Sequence, residues 1–191
     1  MRDHAFFKIT YGLYSISSKY YDNYSACIAN TFIQVTDQPK QICFVLNKNN
    51  YTTELINRSK IANIGVLPEN ISMDIIKKLG TISGRNHDKF NDISYFLDRS
   101  GIKQVKDVVA YFCVEINKII DLGTHYMFIC SVEDADLIND LPVLTYEQYH
   151  QRKAKKGYRC KVCGFIYEGE VLPKDYICPI CKVDVSYFEK V

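Results

Sequence analysis

The sequence lacks the features of a membrane protein, an exported protein or a nucleic-acid-binding protein. No run in its 191 residues approaches the roughly 20 apolar residues that span a bilayer. Its formal net charge is only +2, so there is no large basic excess to attract nucleic acid or a membrane surface. The opening residues, MRDHAFFKIT, contain no charged segment followed by an apolar one, as an export signal would. We therefore expect a protein of the reducing cytoplasm.

The glycine-rich nucleotide-binding motifs are also missing. Neither the G-x-G-x-x-G of a Rossmann turn nor the G-x-x-x-x-G-K of a P-loop is present, so a phosphate site must be built otherwise. One candidate is residues 47–53, NKNNYTT, at the start of a predicted helix whose free N–H groups attract an anion. The other is residues 83–89, SGRNHDK, which carry two cations. Each segment alone would also suit a solvated loop, but together they suit a phosphate at one end of a flat ligand.

Cysteine is plentiful, and half of the eight cysteines are paired in sequence. Two Cys-x-x-Cys pairs, separated by fourteen residues, comprise Cys160, Cys163, Cys178 and Cys181. Two such loops facing each other provide a tetrahedron of sulfur that suits zinc or iron, and the spacing alone does not choose between them. The alternative, two disulfides, would need an oxidising compartment. A segment of about 35 residues is too short for a self-sufficient apolar core, so we expect its fold to depend on the metal.

The remaining cysteines lie on predicted strands without partners at metal-binding spacing, and we expect them to be buried core residues: Cys27, Cys43, Cys113 and Cys130. Alternating apolar residues and turn signals predict strands at 9–17, 26–36, 41–47, 61–67, 108–120 and 124–132. Two short helices are predicted. The first starts near Tyr51 with Thr52 or Thr53 as its cap, and the second covers 72–79 with Ser72 as its cap and Gly80 just past its end. Residues 81–98 are predicted to form a loop. This pattern predicts a mainly β, barrel-like sheet with short helices.

Residues 157–191 resemble rubredoxin, a mononuclear iron protein. The resemblance is carried by the cysteine pairs and by Gly164, Tyr167, Leu172, Pro173, Asp175, Pro179 and Phe188. It implies one iron held by the four cysteines, with zinc as a possible substitute. The sequence departs from the family in two ways: the span between the pairs is shorter, and Lys182 stands where the family usually repeats a glycine.

Residues 10 to about 150 resemble the flavin reductase family, which has an FMN-binding split β-barrel. The segments that carry the resemblance are CIANTFIQVTDQP, FVLNKNNYTTELI, TISGRNHDKF and DLGTHYMFICSV. It implies that FMN is held by Asn30, Thr31, Asn47, Lys48, Tyr51, Thr52 and Thr53. It implies phosphate contacts from Ser83, Arg85 and Lys89. The family's Gly-Asp-His turn appears here as Gly123-Thr124-His125, which implies a catalytic position for His125 near the flavin; a histidine on a strand can also simply satisfy a local hydrogen bond.

Taken together, the sequence predicts a flavin-binding domain over 1–150, a linker over 151–157 and a metal module over 158–191. The wider stretch 145–157 is predicted to be a linker, and its basic cluster suits either a solvated linker or a docking surface for an acidic partner. The predicted activity is that of an NAD(P)H-dependent flavin oxidoreductase, in which electrons pass from NAD(P)H to FMN, then singly to the iron and on to an external acceptor.

This order of modules resembles the high molecular weight rubredoxins of anaerobic bacteria. That resemblance implies a redox-protein acceptor, such as a flavodiiron protein that reduces oxygen or nitric oxide, and a homodimer. Two alternatives stay open at the level of sequence. One is a general flavin or ferric reductase with the rubredoxin as an accessory, and the other is a non-catalytic FMN-binding protein with a zinc-ribbon docking module.

Overall fold

The computed structural model describes residues 9–153 and 157–191. The chain divides into two compact units, residues 1–146 and 147–191. The domain boundaries placed at 150 and 157 stay predictions, and residues 154–156 of the predicted linker lie outside the described residues. Part of the stretch read as linker is helical, because α3 covers Tyr146–Lys153. None of the helices in the described ranges is long and apolar enough to cross a membrane.

The N-terminal unit is built mainly from antiparallel strands. Its elements are β1 (Tyr14–Tyr20), β2 (Asn23–Ala29), β3 (Phe32–Thr36), β4 (Gln41–Asn47), α1 (Tyr51–Ser59), β5 (Ile61–Val66), α2 (Met73–Thr81), β6 (Tyr95–Leu97), β7 (Lys103–Val105), β8 (Ala110–Asp121) and β9 (His125–Leu137). Seven strands form one sheet in the order β2-β1-β5-β8-β9-β4-β3. The strand predicted at 41–47 is confirmed, β8 lies close to the predicted 108–120, and β9 extends beyond the predicted 124–132 to Leu137.

The segment 26–36, predicted to be one strand, belongs to two strands, β2 and β3. β2 pairs with β1 at one edge of the sheet, whereas β3 pairs with β4 at the other edge. The chain must therefore cross from one edge to the other at Asn30 and Thr31. Local alternation of apolar residues could not reveal this crossing, because each half of the segment has the pattern of a strand.

The sheet curls around one apolar core, as a barrel does. Phe32 on the edge strand β3 packs edge-on against Tyr14 of β1, with ring centroids 4.9 Å apart, and also lies 5.4 Å from Phe112 of β8. Deeper in the core, Phe44 and Phe128 stack at 5.0 Å and are both fully buried. The unpaired cysteines Cys27, Cys43, Cys113 and Cys130 are buried, as predicted. The predicted mainly β, split-barrel fold is confirmed.

Four smaller expectations were wrong. The first strand begins at Tyr14 instead of residue 9, because the preceding residues bond to the chain near Leu144. The cap of α1 is Asn50, and both threonines lie buried inside the helix. Ser72 does cap α2, accepting the N–H of Asp74, but Gly80 lies within the helix. The predicted loop at 81–98 contains β6, which pairs with β7.

A buried polar network fastens β7 to the sheet. The Gln104 side chain accepts the hydroxyl of Ser15 at 2.7 Å and the N–H of Val105 at 2.8 Å, and its amide donates to Asn63 Oδ1 at 2.9 Å. Asn63 in turn donates to Asp98 Oδ2 at 2.8 Å. Gln104, Ser15 and Asn63 are fully buried, so water does not reach their polar atoms. The bonds within the network satisfy these atoms instead.

The C-terminal unit contains a small three-stranded antiparallel sheet. Its strands are β10 (Tyr158–Cys160), β11 (Ile166–Tyr167) and β12 (Phe188–Lys190), in the order β11-β10-β12, and a 3₁₀ turn covers Val185–Tyr187. Such short strands bury little surface. The core of this unit consists of Cys160, Cys178 and Phe188 with partly buried aromatic neighbours, so most of its interior is the cysteine cluster itself.

We predict that Gln104→Leu lowers the free energy of unfolding by about 3 kcal/mol, because it leaves several buried donors and acceptors unpaired. The control is Gln34→Leu on β3, where the side chain is exposed and its amide donates to Thr36 O; its effect should stay within about 0.5 kcal/mol. Urea unfolding of both variants measures the difference. Equal effects would show that the network does not contribute to stability.

Candidate functional site

Four sulfur atoms converge in the C-terminal unit. The Sγ atoms of Cys160, Cys163, Cys178 and Cys181 all lie within 4.8 Å of one another. Cys160 and Cys181 are 3.5 Å apart, as are Cys163 and Cys178. A tetrahedral ion with metal–sulfur bonds of about 2.3 Å needs sulfur–sulfur edges of about 3.8 Å, and the observed separations bracket that value. All eight cysteines are free thiols, so the cluster has the composition and size of a tetrahedral metal site.

The two cysteine loops have the same backbone design. In the first, the N–H of Gly164 donates to Cys160 O at 2.9 Å, and in the second the N–H of Lys182 donates to Cys178 O at 3.0 Å. Gly164 and Lys182 both have positive φ, at 76° and 62°. Each residue turns the chain out of its loop in the left-handed region. Lys182 therefore adopts a conformation that favours glycine.

Backbone N–H groups bond to all four sulfur atoms and act to lower the pKa of each thiol, although burial, together with neighbouring sulfurs, leaves the pKa values of Cys163 and Cys181 raised. Burial alone would raise the pKa of the Cys178 thiol, but the N–H groups of Ile180 and Cys181, together with neighbouring sulfurs, lower it to about 7. Cys160 is similarly placed: burial acts to raise its pKa, while the N–H groups of Cys163 and Val162 lead the contacts that lower it. Metal binding needs deprotonated sulfur, so these donors prepare the loops for a cation.

Aromatic side chains surround the sulfur cluster. Tyr176 packs against Tyr167 at 4.6 Å and against Phe188 at 5.6 Å. The second residue of each Cys-x-x-Cys spacer, Val162 and Ile180, is exposed. The metal site thus has an aromatic wall within the module and an apolar outer face beside its ligands.

A cavity of about 420 Å³ opens in the N-terminal unit where the chain crosses the sheet. We call it the Asn47 cavity; it is lined by Ile28, Ala29, Asn30, Thr31, Val45, Leu46, Asn47, Asn50, Leu122 and His125. Four predicted site residues, Asn30, Thr31, Asn47 and His125, meet there. The walls combine apolar side chains with amide, hydroxyl and imidazole groups, as cofactor sites do.

A smaller cavity of about 190 Å³ shares Ile28 and Asn50 with the first. This Lys89 cavity is lined by Cys27, Ile28, Asn49, Asn50, Tyr51, Thr52, Leu79, Gly80, Thr81, Ile82, Ser83, Gly84 and Lys89. It brings the first turn of α1 against the 81–89 segment, so the two candidate phosphate segments do meet. The Asn50 side chain makes no capping hydrogen bond, so it leaves the first N–H groups of the helix available to an anion.

Lys89 is the most informative residue of this cavity. It is only 6% exposed, and its ammonium donates to Ala26 O at 2.8 Å and Leu79 O at 2.7 Å. Within the described ranges it forms no ion pair with a carboxylate, and burial lowers its pKa. A buried cation is costly unless a negative group compensates it, so this cavity suits an anion.

Three predicted site residues have other contacts. Lys48 pairs with Asp121 at 2.5 Å and lies over the Tyr126 ring, and it does not line either cavity. Thr53 is buried and donates to Asn47 O at 2.9 Å, so it holds the loop before α1. Arg85 pairs with Glu54 and lies over Tyr51, facing a third cavity.

His125 is half-buried and makes a local hydrogen bond. Its Nδ1 lies 2.8 Å from the hydroxyl of Thr124, the residue that replaces aspartate in the expected turn. His125 also stands opposite Asn47 in the pairing of β4 and β9. His125 therefore lines the Asn47 cavity and also makes the local hydrogen bond considered from the sequence, while its catalytic role stays a prediction.

Sequence reasoning missed several lining residues. Asn50, which lies in the candidate segment 47–53 but is not among the residues predicted to hold FMN, lines both cavities as the helix cap. Ile28 and Leu122 supply apolar surface that no motif marks. At Gly84 an added Cβ would overlap Ser25 Oγ and approach Tyr51 Cδ1 to 3.1 Å, so this glycine lets the loop lie against α1.

Comparison with known proteins then decides the family. Residues 6–155 match the family model of the flavin reductase like domain. The chain belongs to the flavin reductase family. Residues 158–189 match the rubrerythrin, rubredoxin-like domain, so this flavin reductase carries a C-terminal rubredoxin-like electron-transfer module, as predicted.

Two relatives of this flavin reductase are matched over nearly their whole length. It is 32% identical over 225 aligned positions to the high molecular weight rubredoxin of Moorella thermoacetica, covering 98% of both chains. It is 35% identical to the ferric-chelate reductase (NAD(P)H) of Archaeoglobus fulgidus, covering 84% of this chain and 96% of the relative. The NADH:FAD oxidoreductase of Streptomyces globisporus has the same fold, with a TM-score of 0.69, 16% identity and coverage of 74% and 84%.

We predict that Lys182→Gly stabilises the metal-loaded C-terminal unit by about 1 kcal/mol, because glycine adopts a positive φ without strain. Thermal melting followed at the metal–thiolate absorbance reports on this unit alone. The matched control is Lys161→Gly, since Lys161 is not among the residues with positive φ; this change should leave stability unchanged or lower it. A lower melting temperature for Lys182→Gly would contradict this prediction. It would mean that the contacts of the lysine side chain stabilise the unit by more than the backbone strain destabilises it.

Proposed function

We propose that this flavin reductase transfers electrons from NAD(P)H through FMN to one iron in the four-cysteine site, and from there to a redox-protein acceptor. One observation carries the proposal: a single chain contains both a cofactor-sized site and a metal site. The first is the Lys89 cavity, which suits an anion, with the adjoining Asn47 cavity, and the second is the tetrahedron of four cysteine sulfurs. When bound, FMN takes an electron pair from a reduced nicotinamide and releases it one electron at a time, and a rubredoxin-type iron carries single electrons.

The residues of the N-terminal unit suit FMN. The Lys89 ammonium, the first turn of α1 and Ser83 would bind the phosphate in the Lys89 cavity. Asn30, Thr31 and Asn47 would donate and accept hydrogen bonds at the ring edge in the adjoining Asn47 cavity, and the apolar walls would exclude water there. Supporting this assignment, the two cavities share Ile28 and Asn50, so one elongated ligand can occupy both.

His125 and Leu122 both line the Asn47 cavity. With the Thr124 hydroxyl donating to Nδ1, the imidazole would carry its proton on Nε2 and could donate it to a bound ligand. We propose that His125 orients the nicotinamide or the ring edge in this way. The Lys48–Asp121 pair would hold the turn that carries it.

Iron is the metal we propose for the cysteine site. The N–H groups directed at the sulfurs and the aromatic wall are the factors that tune the potential of an iron–thiolate centre, whereas a structural zinc site needs only the tetrahedron. In the alternative of a non-catalytic FMN-binding protein, the four cysteines would instead bind zinc in a docking module. A colourless native protein with bound flavin would support that alternative.

The acceptor is proposed to be a redox protein such as a flavodiiron protein. The exposed apolar side chains beside the ligands, Val162 and Ile180, offer a surface against which such a protein could dock. A homodimer and a location in the cytoplasm complete the proposal and stay predictions.

A second candidate function is the reduction of ferric chelates, with the rubredoxin-like module as an accessory. The similarity to the Archaeoglobus fulgidus reductase favours it, since that protein is matched over nearly its whole length. The two candidates differ in whether electrons must pass through the cysteine site.

We predict that Lys89→Met weakens FMN binding on the order of 10- to 100-fold, because it removes a charged hydrogen-bond donor from the phosphate. Riboflavin, which lacks the phosphate, should bind the variant and the wild type alike. The control is Lys77→Gln on the exposed face of α2, which should change neither affinity. Equal losses of affinity for FMN and riboflavin would show that the variant disturbs the fold and that Lys89 does not bind the phosphate.

We predict that Cys178→Ser spares the reduction of FMN by NAD(P)H but stops onward transfer to a one-electron protein acceptor. Stopped-flow absorbance at the flavin band measures the first step, and acceptor reduction measures the second. Wild-type protein loaded with zinc is the control, since it keeps the fold of the module and removes its redox chemistry. If either form still reduced the acceptor at the wild-type rate, the second candidate function would replace the first.

A further inference from the structure

The two cysteine loops of the C-terminal unit contain basic residues and no acidic ones. Residues 158–165 include Arg159 and Lys161, and residues 176–183 include Lys182, whereas neither segment contains an aspartate or a glutamate. The acidic residues of 157–191 all lie outside these segments, at Glu168, Glu170, Asp175, Asp184 and Glu189. Charge is therefore segregated along this unit, with lysines placed directly after the ligands Cys160 and Cys181.

Lys161 and Lys182 are exposed cations with no carboxylate partner within residues 9–153 and 157–191. Glu189 lies close enough to Lys161 for the lysine charge to act on its pKa, but its carboxylate bonds to Arg159, whose Nε lies 2.9 Å away. Both ammonium groups thus keep their charge available to a molecule that approaches the cysteine loops.

The same two loops also expose apolar side chains. Val162 follows Lys161 and is 57% exposed, and Ile180 precedes Lys182 by two residues and is 46% exposed. Because the four ligand sulfurs lie within 4.8 Å of one another, the two loops bring these residues together around the metal site. We call Lys161, Val162, Ile180 and Lys182 the lysine-rimmed face. An apolar centre with a charged rim is the usual composition of a transient protein interface.

The lysines change which partner this face suits. Four thiolates carry more negative charge than a divalent or trivalent ion neutralises, so the metal centre by itself would repel an acidic protein. Two unpaired ammonium groups beside the ligands offset that repulsion. At an ionic strength of about 0.1 M their field extends roughly 10 Å into the solvent, so it acts on a partner before contact and sets the rate of association.

We propose that the lysine-rimmed face docks an acidic redox protein, whose carboxylates pair with Lys161 and Lys182 and whose apolar surface covers Val162 and Ile180. The inference rests on the proposed function, since it takes the metal centre to be the electron outlet. It extends that function by specifying the charge of the acceptor and by assigning its selection to two lysines. An acceptor with a basic docking face is disfavoured by like-charge repulsion.

The first test maps ion binding by NMR on full-length protein loaded with FMN and with zinc, which is diamagnetic. FMN fills the anion-suited cavity of the other unit. The paramagnetic trianion hexacyanochromate(III) should broaden the amide signals of the lysine-rimmed face, and the trication hexaamminechromium(III) should not. In the double variant Lys161→Gln/Lys182→Gln this broadening should fall at least about threefold. The control is Lys174→Gln, an exposed lysine outside the loops, which should leave the broadening unchanged.

The second test measures electron exit from the iron-loaded protein after anaerobic reduction with NAD(P)H. One electron passes from the cysteine site to hexacyanoferrate(III), giving hexacyanoferrate(II), or to tris(phenanthroline)cobalt(III), giving the cobalt(II) complex. Stopped-flow absorbance of the thiolate-to-iron bands follows the initial phase. At an ionic strength of about 10 mM the double variant should react about 5- to 20-fold more slowly with the anion and faster with the cation, and both differences should disappear near about 0.5 M salt.

The outcomes separate the docking proposal from the proposed function. Broadening by both chromium complexes alike, or broadening that the double variant leaves unchanged, would show that the face does not select acidic groups. If hexacyanochromate bound as expected but the variant kept the wild-type oxidation rates, electrons would leave the unit by another face, and the proposal would be wrong. A cysteine site that NAD(P)H does not reduce would overturn the proposed function and the docking proposal with it, and the absorbance before mixing reports that result separately.

Discussion

A buried ammonium joins the elements that surround the proposed phosphate pocket of this flavin reductase. Lys89 reaches the last turn of α2 through Leu79 O and strand β2 through Ala26 O, and it faces the first turn of α1 across a small cavity. These contacts satisfy two of the three N–H donors of the ammonium but leave its charge uncompensated. A bound phosphate would supply the missing negative charge. Cofactor binding and the stability of the N-terminal unit should therefore be coupled.

The C-terminal unit depends on a different constraint, because four thiolates repel one another unless a cation holds them. Its strands are two or three residues long, and its core consists largely of the ligands themselves. The turns of the backbone accordingly direct N–H groups at the sulfurs. One of these turns requires Lys182 to adopt a positive φ, a conformation that favours glycine. A fold of this kind forms with its metal, and that is why a small redox module can be carried at the end of a larger domain.

The sequence alone was sufficient for the metal ligands and for much of the fold. Cysteine spacing acts locally, so it located all four sulfurs without any knowledge of the rest of the chain. The crossing at Asn30 and Thr31 was not predictable in this way, because it is set by which distant strands pair with each half of the segment. Lys48 and Arg85 were predicted to bind the cofactor because of their charge. Their ion pairs with Asp121 and Glu54 were not predictable, since the partners are distant in sequence. Resemblance to a family could indicate Lys48 and Arg85 as site residues, but only the structure showed their ion pairs.

The most direct test of the account is an anaerobic titration of the native, FMN-loaded protein with NADH and, separately, NADPH, followed by absorbance. Transfer in series predicts that flavin absorption and thiolate-to-iron charge-transfer bands bleach together, with an end point of about 1.5 donor equivalents per chain, since FMN takes two electrons and the iron one. Bleaching of the flavin over charge-transfer bands that persist, or over a site without such bands, would contradict the claim that the cysteine site receives electrons from the flavin.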